Sequence, residues 1–383
     1  MTSQERILCT LRHQEPDRVP LDFGATLLTG IHINAYAQLL EYLGIQKPDL
    51  PIMFERPQNA RMHDDVLEQF GVDVRGLIPR EPPRTRWEDA QYDYYRDEWG
   101  VTWRKAKADG KYFDIVDHPL PQPDITIEEL KAFPWPTLAD PAKLTGLKDR
   151  ARELQAQTGC ALILEGVLGS EIFDGSFFIR GFENFYVDLA GNPDVACYLM
   201  DQMVELQLSY WEMALRELGD DVLIVRLGDD LGEQAKTRIS PRMYRTLIKP
   251  RHHKLISSIK QMAQGEVYIF LHSDGSIYNL IPDLIEIGVD ILNPIQYTAA
   301  KMDTKTLKRE FGKDLTFWGG VIDPQGTLPQ GSPQQVKDEV KRHMDDLAPG
   351  GGFVFCQIHN YQDDVPPQNI MAVYEAFHEY AAY

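Results

Sequence analysis

The sequence predicts an α/β protein, a single (β/α)8 TIM barrel with an elaborated N-terminal region. First, apolar runs alternate with helical segments in six successive units from about residue 140 to residue 383, as in parallel βαβ units. Second, these runs are apolar on both faces, which suits a sheet covered by helices on both sides. Third, no linker or internal repeat divides the 383-residue chain, which is long enough for one large core.

Residues 1–139 are expected to hold the N-terminal elaboration and the first barrel elements, and residues 140–383 the regular βα units. The stretch 45–135 is irregular and rich in Pro, Arg, Asp and aromatic residues. The elements expected in the first part are a helix at 3–13, a strand entered at 17–23, a helix at 34–43, strand candidates at 72–74 and 99–102, and a short helix begun by a capping box of Thr126 and Glu129.

In the second part the alternation is regular. The expected strands lie at 161–165, 222–227, 267–271, 290–293, 315–318 and 353–355. The expected helices lie at 141–157, 193–218, 240–263, 279–286, 303–311, from Ser332 onward, and 367–380. Pro250 should kink the helix in which it lies. A doubly wound open sheet is the alternative architecture, but no glycine-rich phosphate-binding motif follows any of these strands.

Composition narrows the class of protein. The formal net charge of −19 argues against non-specific binding to nucleic acid or to an anionic membrane surface. No apolar stretch approaches the ~18 residues that a membrane helix needs, and the polar N-terminus has no signal-peptide core. The four cysteines lie far apart without a CxxC pair, so a disulfide framework is not expected. Together these properties predict a soluble cytoplasmic enzyme.

Polar side chains follow each of the six predicted strands. In a barrel, catalytic residues lie where the strands end and the βα loops begin. Six strands in succession that deliver polar groups to one end therefore predict an active site there. These residues are Glu165, Asp229, Asp230, His272, Ser273, Asp274, Asn293, Gln296, Asp323, Gln357, His359, Asn360 and Gln362.

A metal site is predicted at three of these positions. His272 and Asp274 are two residues apart, so on extended backbone both side chains point the same way. His359 can join them from the end of another strand. Two imidazoles and a carboxylate suit zinc and leave a fourth position open for substrate. The alternative is a metal-free polar site in which Asp274 and His359 hydrogen-bond to loop backbone.

Three carboxylates are candidate catalytic groups. Adjacent side chains diverge on a strand, so one of Asp229 and Asp230 is expected to face the centre as a general acid/base or substrate anchor. The structural alternative is a cap on the following helix or an ion pair with Arg238 or Arg242. Glu165 lies in an otherwise apolar run and is either a buried ion-pair partner or a further ligand or proton acceptor.

The remaining polar candidates have simpler expected roles. Gln296, Asn360 and Gln362 are expected to contact substrate. Cys356 is expected to be a core cysteine rather than a nucleophile or ligand. The pair 252–253, two histidines in the middle of a predicted helix, is expected to be a partly exposed surface pair.

The chain resembles the uroporphyrinogen decarboxylase superfamily over nearly its whole length. The resemblance implies a single (β/α)8 barrel with a cleft at the carboxyl ends of the strands. The segments that carry it are Arg6-Ile7-Leu8, Asp17-Arg18-Val19-Pro20, Arg180-Gly181-Phe182-Glu183-Asn184-Phe185, Gly228-Asp229-Asp230-Leu231-Gly232, Ile239-Ser240-Pro241, His272-Ser273-Asp274-Gly275, residues 286–296 and residues 359–369.

Departures from the two branches of this superfamily indicate the activity. Porphyrinogen decarboxylases carry an N-terminal motif of the form RQAGR, whereas residues 19–26 here contain no arginine. The other branch consists of corrinoid-dependent methyltransferases, whose zinc motif is HxC with a distant Cys. His272 matches the first ligand, while Asp274 and His359 stand where the two cysteines are expected. Fewer thiolates leave a stronger Lewis acid, which favours an ether or amine over a thiol.

The resemblance therefore implies a corrinoid-dependent demethylating methyltransferase. It would move a methyl group from a small methoxylated or methylamine-type substrate to a separate corrinoid protein, with zinc on His272, Asp274 and His359. One alternative is a metal-free decarboxylase or lyase that acts on a small carboxylic acid with Asp229 and His359 as acid and base. Another is a binding protein that retained the barrel. The resemblance also makes a homodimer reasonable.

Overall fold

The computed structural model describes residues 1–167 and 171–383. Its central element is a sheet of seven parallel strands, in which each strand pairs with the next one along the chain. This order is that of successive right-handed βα units. The strands are Val74–Leu77, Ala161–Leu164, Ile224–Gly228, Tyr268–His272, Ile291–Asn293, Thr316–Trp318 and Phe353–Val354.

A short N-terminal segment closes this sheet into a ring. On one side, Asp22 N donates to Phe355 O at 2.9 Å and Phe355 N donates to Pro20 O at 2.8 Å. On the other side, Asp73 N donates to Leu21 O at 2.8 Å, next to the strand Val74–Leu77. Residues 20–22 therefore act as the eighth strand, because they bond to both edges of the sheet. The predicted (β/α)8 barrel is confirmed.

The helices lie around this ring. Those at Pro193–Leu218 and Pro367–Tyr380 have the predicted bounds, and the predicted capping residues Thr126, Ser240 and Ser332 each accept a hydrogen bond from the first turn of their helix. Among the described residues, no helix combines the length and apolar character needed to span a bilayer. The other α-helices are Ser3–Leu11, Ile33–Tyr42, Asp64–Phe70, Ile127–Ala132, Leu147–Thr158, Phe173–Arg180, Phe182–Gly191, Pro241–Met243, Lys249–Met262, Ile281–Glu286, Thr304–Phe311, Thr327–Gln330 and Pro333–Leu347, with 3-10 turns at Pro141–Leu144, Gly219–Asp221 and Tyr278–Leu280.

At Pro250 the helix widens. A π-helical turn at Tyr244–Ile248 precedes Lys249–Met262, and Pro250 lies in the first turn of that second segment. Proline has no backbone N–H to donate, and the first turn of a helix is where this absence costs least. The predicted helix 240–263 therefore changes type just before Pro250, and a kink there stays a prediction.

Residues 45–135 were expected to be less regular, with short strands near 72–74 and 99–102, and they contain more strands than predicted. This stretch contains a two-stranded hairpin, Ile52–Phe54 with Asn59–Ala60, and a four-stranded antiparallel sheet. Most of these strands are half-exposed and carry Tyr, Trp and Arg, so the alternation of apolar and polar residues is weak. The four strands are Thr85–Glu88, Tyr92–Arg96, Thr102–Ala106 and Asp114–Asp117. The helices Phe173–Arg180 and Phe182–Gly191 were also not predicted.

Candidate functional site

Three side chains from distant parts of the chain meet at the carboxyl end of the barrel strands. His272 is the last residue of the strand Tyr268–His272, Asp274 follows it, and His359 lies beyond the strand Phe353–Val354. One ligand atom from each lies within 4.8 Å of the other two. His272 Nε2 is 3.7 Å from Asp274 Oδ2, and the two imidazole rings are 6.1 Å apart. The strands therefore deliver two imidazoles and a carboxylate to one point.

A hydrogen bond to Asn293 orients the imidazole ring of His272. Its Nδ1 is 2.7 Å from Asn293 Oδ1. The Asn293 amide nitrogen donates to the Trp318 carbonyl at 2.8 Å, so the amide oxygen is the atom that faces the histidine. Nδ1 of His272 therefore carries the proton, and Nε2 faces the carboxylates of Asp274 and Asp230. Such outer hydrogen bonds fix the ring and tautomer of metal-binding histidines.

The charges of the site favour coordination at two of the three residues. Burial opposes ionisation of Asp274, but the nearby His272 outweighs it and lowers the pKa of this carboxyl to about 2. Burial lowers the pKa of His359, which favours the neutral form of its imidazole. For His272 burial acts in the same direction, but Asp274 and Asp230 prevail and raise its pKa. An ionised carboxylate and neutral imidazoles are the forms that bind metal, so a metal ion at this point would displace a proton from His272.

These three residues fit a zinc ion. Zinc bonds of about 2.0–2.2 Å in a tetrahedron place ligand atoms roughly 3.4 Å apart. The separation of 3.7 Å between His272 Nε2 and Asp274 Oδ2 is close to this value. The other pairs of ligand atoms lie within 4.8 Å of each other, so the two atoms of each pair would have to approach by at most about 1.4 Å. Three protein ligands leave one position open, as in catalytic zinc sites.

Asp230 faces this point. Its Oδ1 lies 3.6 Å from His272 Nε2 and accepts from Asp274 N at 2.9 Å, while its Oδ2 lies 3.5 Å from an Arg238 nitrogen. The side chain is 27% exposed, so solvent or substrate can reach it. Arg238 also pairs with Asp174 at 2.9 Å, and Asp174 in turn accepts from Asp230 N at 2.6 Å. Asp230 is therefore a carboxylate held in place beside the cluster.

The contacts of Asp229 are structural, but the helix that it caps precedes it in the sequence, and it is Asp230 that lies beside Arg238. Its carboxylate accepts from Ile172 N at 3.0 Å and from Asp174 N at 2.9 Å, at the start of the helix Phe173–Arg180. It also accepts from His252 Nε2 at 2.8 Å. The predicted surface position of the histidine pair was wrong for His252, which is buried, and holds for the exposed His253. The two aspartates thus diverge as expected, and it is Asp230 that lies near His272.

Glu165 is buried at the end of its strand. It accepts from Leu27 N at 2.7 Å and lies 3.7 Å from Arg226. Burial raises the pKa of this carboxyl. These contacts are those of the predicted ion-pair alternative. The hydrogen bond from Leu27 adds a contact with the loop that follows residues 20–22. A second carboxyl beside it, Glu171, was not predicted, and burial raises its pKa to about 8.

The three predicted substrate contacts also support loops. Gln296 Oε1 accepts from Gly275 N at 2.7 Å. Asn360 accepts from Gly30 N at 2.7 Å and donates to Leu27 O at 2.9 Å. Gln362 donates to Asn360 O at 3.3 Å. Asn360 and Gln362 nevertheless line a cavity at this end of the barrel, together with His359. Cys356, which precedes them, is buried as predicted.

A cavity of about 830 Å3 opens beside His359. Its walls come from the antiparallel sheet, from the helix Phe173–Arg180 and from the loop at the last strand. Five of the lining residues are aromatic and one is an unanticipated arginine. The sequence signal was the abundance of aromatic residues in 45–135, but nothing in it placed them near the barrel. The arginine, the five aromatic residues and the cluster histidine in this lining are Arg56, Trp103, Tyr112, Phe113, Phe178, Phe182 and His359.

Comparison with known proteins shows the family. The family model for uroporphyrinogen decarboxylase matches residues 117–380, and the chain belongs to this family. The uroporphyrinogen decarboxylases of Pseudomonas fluorescens and Aeromonas salmonicida are 24% and 21% identical to it, over 74% of this chain and 77% of theirs. A solved structure described as a methyltransferase from Methanosarcina mazei is 16% identical, covers 99% of both chains and has a TM-score of 0.64. This structural likeness bears on the fold.

Proposed function

We propose that this enzyme is a corrinoid-dependent demethylating methyltransferase. It removes a methyl group from a small methoxylated or methylamine-type compound and transfers it to the corrinoid of a separate protein in the cytoplasm. The observation that carries the proposal is the convergence of His272, Asp274 and His359 within 4.8 Å at the carboxyl end of the barrel. The structural likeness to a protein described as a methyltransferase is compatible with it.

In this proposal His272, Asp274 and His359 hold zinc. Zinc held there would supply a Lewis acid for the ether oxygen or amine nitrogen of the substrate. Asn293 keeps the Nε2 lone pair of His272 directed at the ligand point. This ligand set contains no thiolate, so it suits an oxygen or nitrogen leaving group better than a thiol.

Asp230 has the position of a proton carrier. When the methyl carbon passes to the corrinoid acceptor, the bond electrons stay on the leaving oxygen or nitrogen, and that atom needs a proton. Asp230 stands beside the cluster and reaches solvent, with Arg238 holding its second oxygen at 3.5 Å. A positioned carboxyl in such a place typically contributes about 10²–10⁴-fold to the rate. Asn360, Gln362 and Gln296 then shape the approach to the cluster.

A metal-free decarboxylase that acts on a small carboxylic acid is the second candidate. The observation in its favour is that the curated relatives are named uroporphyrinogen decarboxylases. Residues 19–26 contain no arginine for the carboxylates of a porphyrinogen, so the acid would be a smaller one. This candidate predicts release of carbon dioxide without metal and without a corrinoid protein.

Metal analysis tests the first proposal directly. Purified protein is dialysed against zinc, and bound metal is measured per chain by mass spectrometry and by calorimetric titration. We expect about one zinc per chain, a stoichiometry that is lost in His272→Ala and His359→Ala. The exposed His253→Ala is the matched control and should retain the ion, because it removes an imidazole without touching the cluster. No stoichiometric metal in the unaltered protein would contradict the zinc site.

Methyl transfer is then assayed with a corrinoid protein and a panel of methoxylated and methylated compounds. We expect the absorbance change of a methylated corrinoid with at least one compound, and its loss in Asp230→Ala. Carbon dioxide release in the absence of corrinoid protein would instead support the second candidate.

A further inference from the structure

One arginine in the cavity wall lacks an acidic partner. The guanidinium carbon of Arg56 lies 5.2 Å from the ring centre of Trp103 and 5.4 Å from that of Phe178. Within the described part of the chain, Arg56 forms no ion pair and its guanidinium donates no hydrogen bond. Two neighbouring arginines, Arg84 and Arg86, do have an acidic partner, because both form ion pairs with Glu55. The Glu55 carboxylate is therefore paired with Arg84 and Arg86, and Arg56 lines the cavity without an ion-pair partner among the described residues.

The surroundings hold this arginine in place. Trp103 Nε1 donates to Asp97 at 2.8 Å, and its ring meets that of Phe178 edge-on at 5.6 Å. The Arg56 carbonyl accepts from Phe113 N at 2.9 Å. Ring faces stabilise a cation but supply no hydrogen-bond acceptor for the five N–H groups of a guanidinium. A planar anion such as a carboxylate supplies two acceptors in the right geometry.

Most of the bulky side chains that line the rest of the cavity are aromatic, although His118, Asn360 and Gln362 also line it. Tyr112, Phe113 and Phe182 complete the walls with Trp103 and Phe178. A volume of about 830 Å3 lies in the range of pockets that enclose small organic ligands, about 300–1,000 Å3. Such walls favour a planar ring over a small aliphatic amine.

Other charges at the cavity do not replace Arg56 as an anion site. Lys111 is an exposed side chain that pairs with Asp363. Asp114 and Asp364 are exposed at the rim and in contact with solvent. The cavity therefore combines aromatic side chains, one half-buried arginine without an ion-pair partner in the described part of the chain and, at His359, one member of the proposed zinc cluster.

We propose that this cavity binds an aromatic carboxylate. The carboxylate binds Arg56, the ring packs against Trp103 and Phe178, and the methoxy group points toward His359. This inference rests on the proposed demethylation in one respect only, which is that the bound ring carries the methyl group to be removed. It selects methoxylated aromatic acids from the broader class of methoxylated or methylamine-type compounds.

Binding calorimetry with two matched probes tests the inference without metal or corrinoid protein. The probes are 4-methoxybenzoate and 4-methoxybenzamide, which have the same shape and differ in charge. We expect the full-length protein to bind the benzoate at least about 10-fold more tightly, because charge-assisted bidentate bonds are the strong ones. In Arg56→Met the benzoate should bind about 10- to 100-fold more weakly, whereas the affinity for the benzamide should change less than about 3-fold.

The control is Arg104→Met. Arg104 lies over the ring of Tyr92 at 4.3 Å in the same antiparallel sheet, but it does not line the cavity. This variant should keep the preference for the benzoate, and thermal melting shows whether either variant is folded. Arg56→Lys keeps the charge without the planar fork and should retain part of the preference. If the unaltered protein binds both probes equally or neither, or if Arg56→Met keeps the preference, the inference is wrong.

Methyl transfer from the same two probes separates this inference from the proposed function. Binding of the benzoate through Arg56 without any methyl transfer would overturn the function and leave the aromatic carboxylate site intact. Transfer from neutral ethers at the same efficiency as from the benzoate would overturn the inference and leave the function intact.

Discussion

The structural role of Asp229 leads to a prediction that separates it from its neighbour Asp230. Asp229 is buried and accepts hydrogen bonds from three buried donors, namely Ile172 N, Asp174 N and His252 Nε2. A bond to a charged acceptor contributes about 1.5–3 kcal/mol, and a buried donor left without a partner costs a similar amount. Asp229→Ala strands all three donors, so the free energy of unfolding should fall by about 4 kcal/mol, with allowance for non-additivity.

Asp229→Asn should be much milder. The remaining oxygen can still accept from Ile172 N and Asp174 N. The new amide nitrogen can donate to His252 Nε2 if the proton of His252 moves to Nδ1. This tautomer is possible because Nδ1 lies 3.2 Å from the hydroxyl of Tyr244, and a hydroxyl can accept as well as donate. We expect a loss of about 1–2 kcal/mol, which is the difference between charged and neutral hydrogen bonds.

Urea unfolding followed by far-UV circular dichroism measures these differences from the shift of the midpoint and a common slope. Asp230→Asn is the matched control, because Asp230 is adjacent in sequence yet reaches solvent. It should change the free energy of unfolding by less than about 1 kcal/mol. If Asp229→Ala were as stable as the unaltered protein and had lost methyl transfer, Asp229 would be a catalytic group and the reasoning from its contacts would be refuted.

Three further predictions concern other parts of the molecule. Asn293→Ala should weaken zinc binding by about 10- to 100-fold in calorimetric titration, because it frees the His272 ring without removing a ligand; unchanged affinity would contradict the orienting role. Gly76→Ala should lower stability by about 3 kcal/mol or more, since a Cβ there would lie 2.0 Å from Ala25 O, whereas Gly191→Ala, with no neighbour within 4 Å of its Cβ, should be nearly neutral in the same thermal melt. Burial lowers the pKa of His343 to about 4, so between pH 6.5 and 4 the unfolded chain binds more protons than the folded one and the free energy of unfolding falls as the pH drops, by at most about 3 kcal/mol. His343→Gln should remove this part of the pH dependence of urea unfolding, and an unaltered slope in that window would refute the assignment.

The barrel could be predicted because its determinants are local. Runs such as Ala161–Leu164 are apolar on both faces, and caps such as Ser240 and Ser332 satisfy backbone donors within their own first turn. Both signals act over a few residues and survive without knowledge of tertiary contacts. The half-exposed strands at 85–117 lack either signal, because their aromatic and charged residues pack against one another across the sheet.

Part of the candidate site could be predicted for a related reason. Parallel strands end at one mouth, so polar residues that follow several strands must share that mouth. The expectation that His272, Asp274 and His359 lie together rests on this topology, and in the structure they do. Their capacity to hold zinc remains a prediction.

Tertiary structure alone decided the rest. Asp229 and Asp230 are equivalent by sequence, and the partner that distinguishes them, His252, lies in a helix more than twenty residues away. Arg56 lines the cavity beside His359 because the hairpin that contains it and the antiparallel sheet that contains Trp103 fold next to the mouth of the barrel. A side chain's chemistry is encoded by its identity, but its pKa, its partners and its exposure depend on groups brought near it by folding. The sequence therefore determined which chemical groups reach the mouth of the barrel, and the fold determined which of them are left free to act, because burial and pairing with distant residues occupy the others.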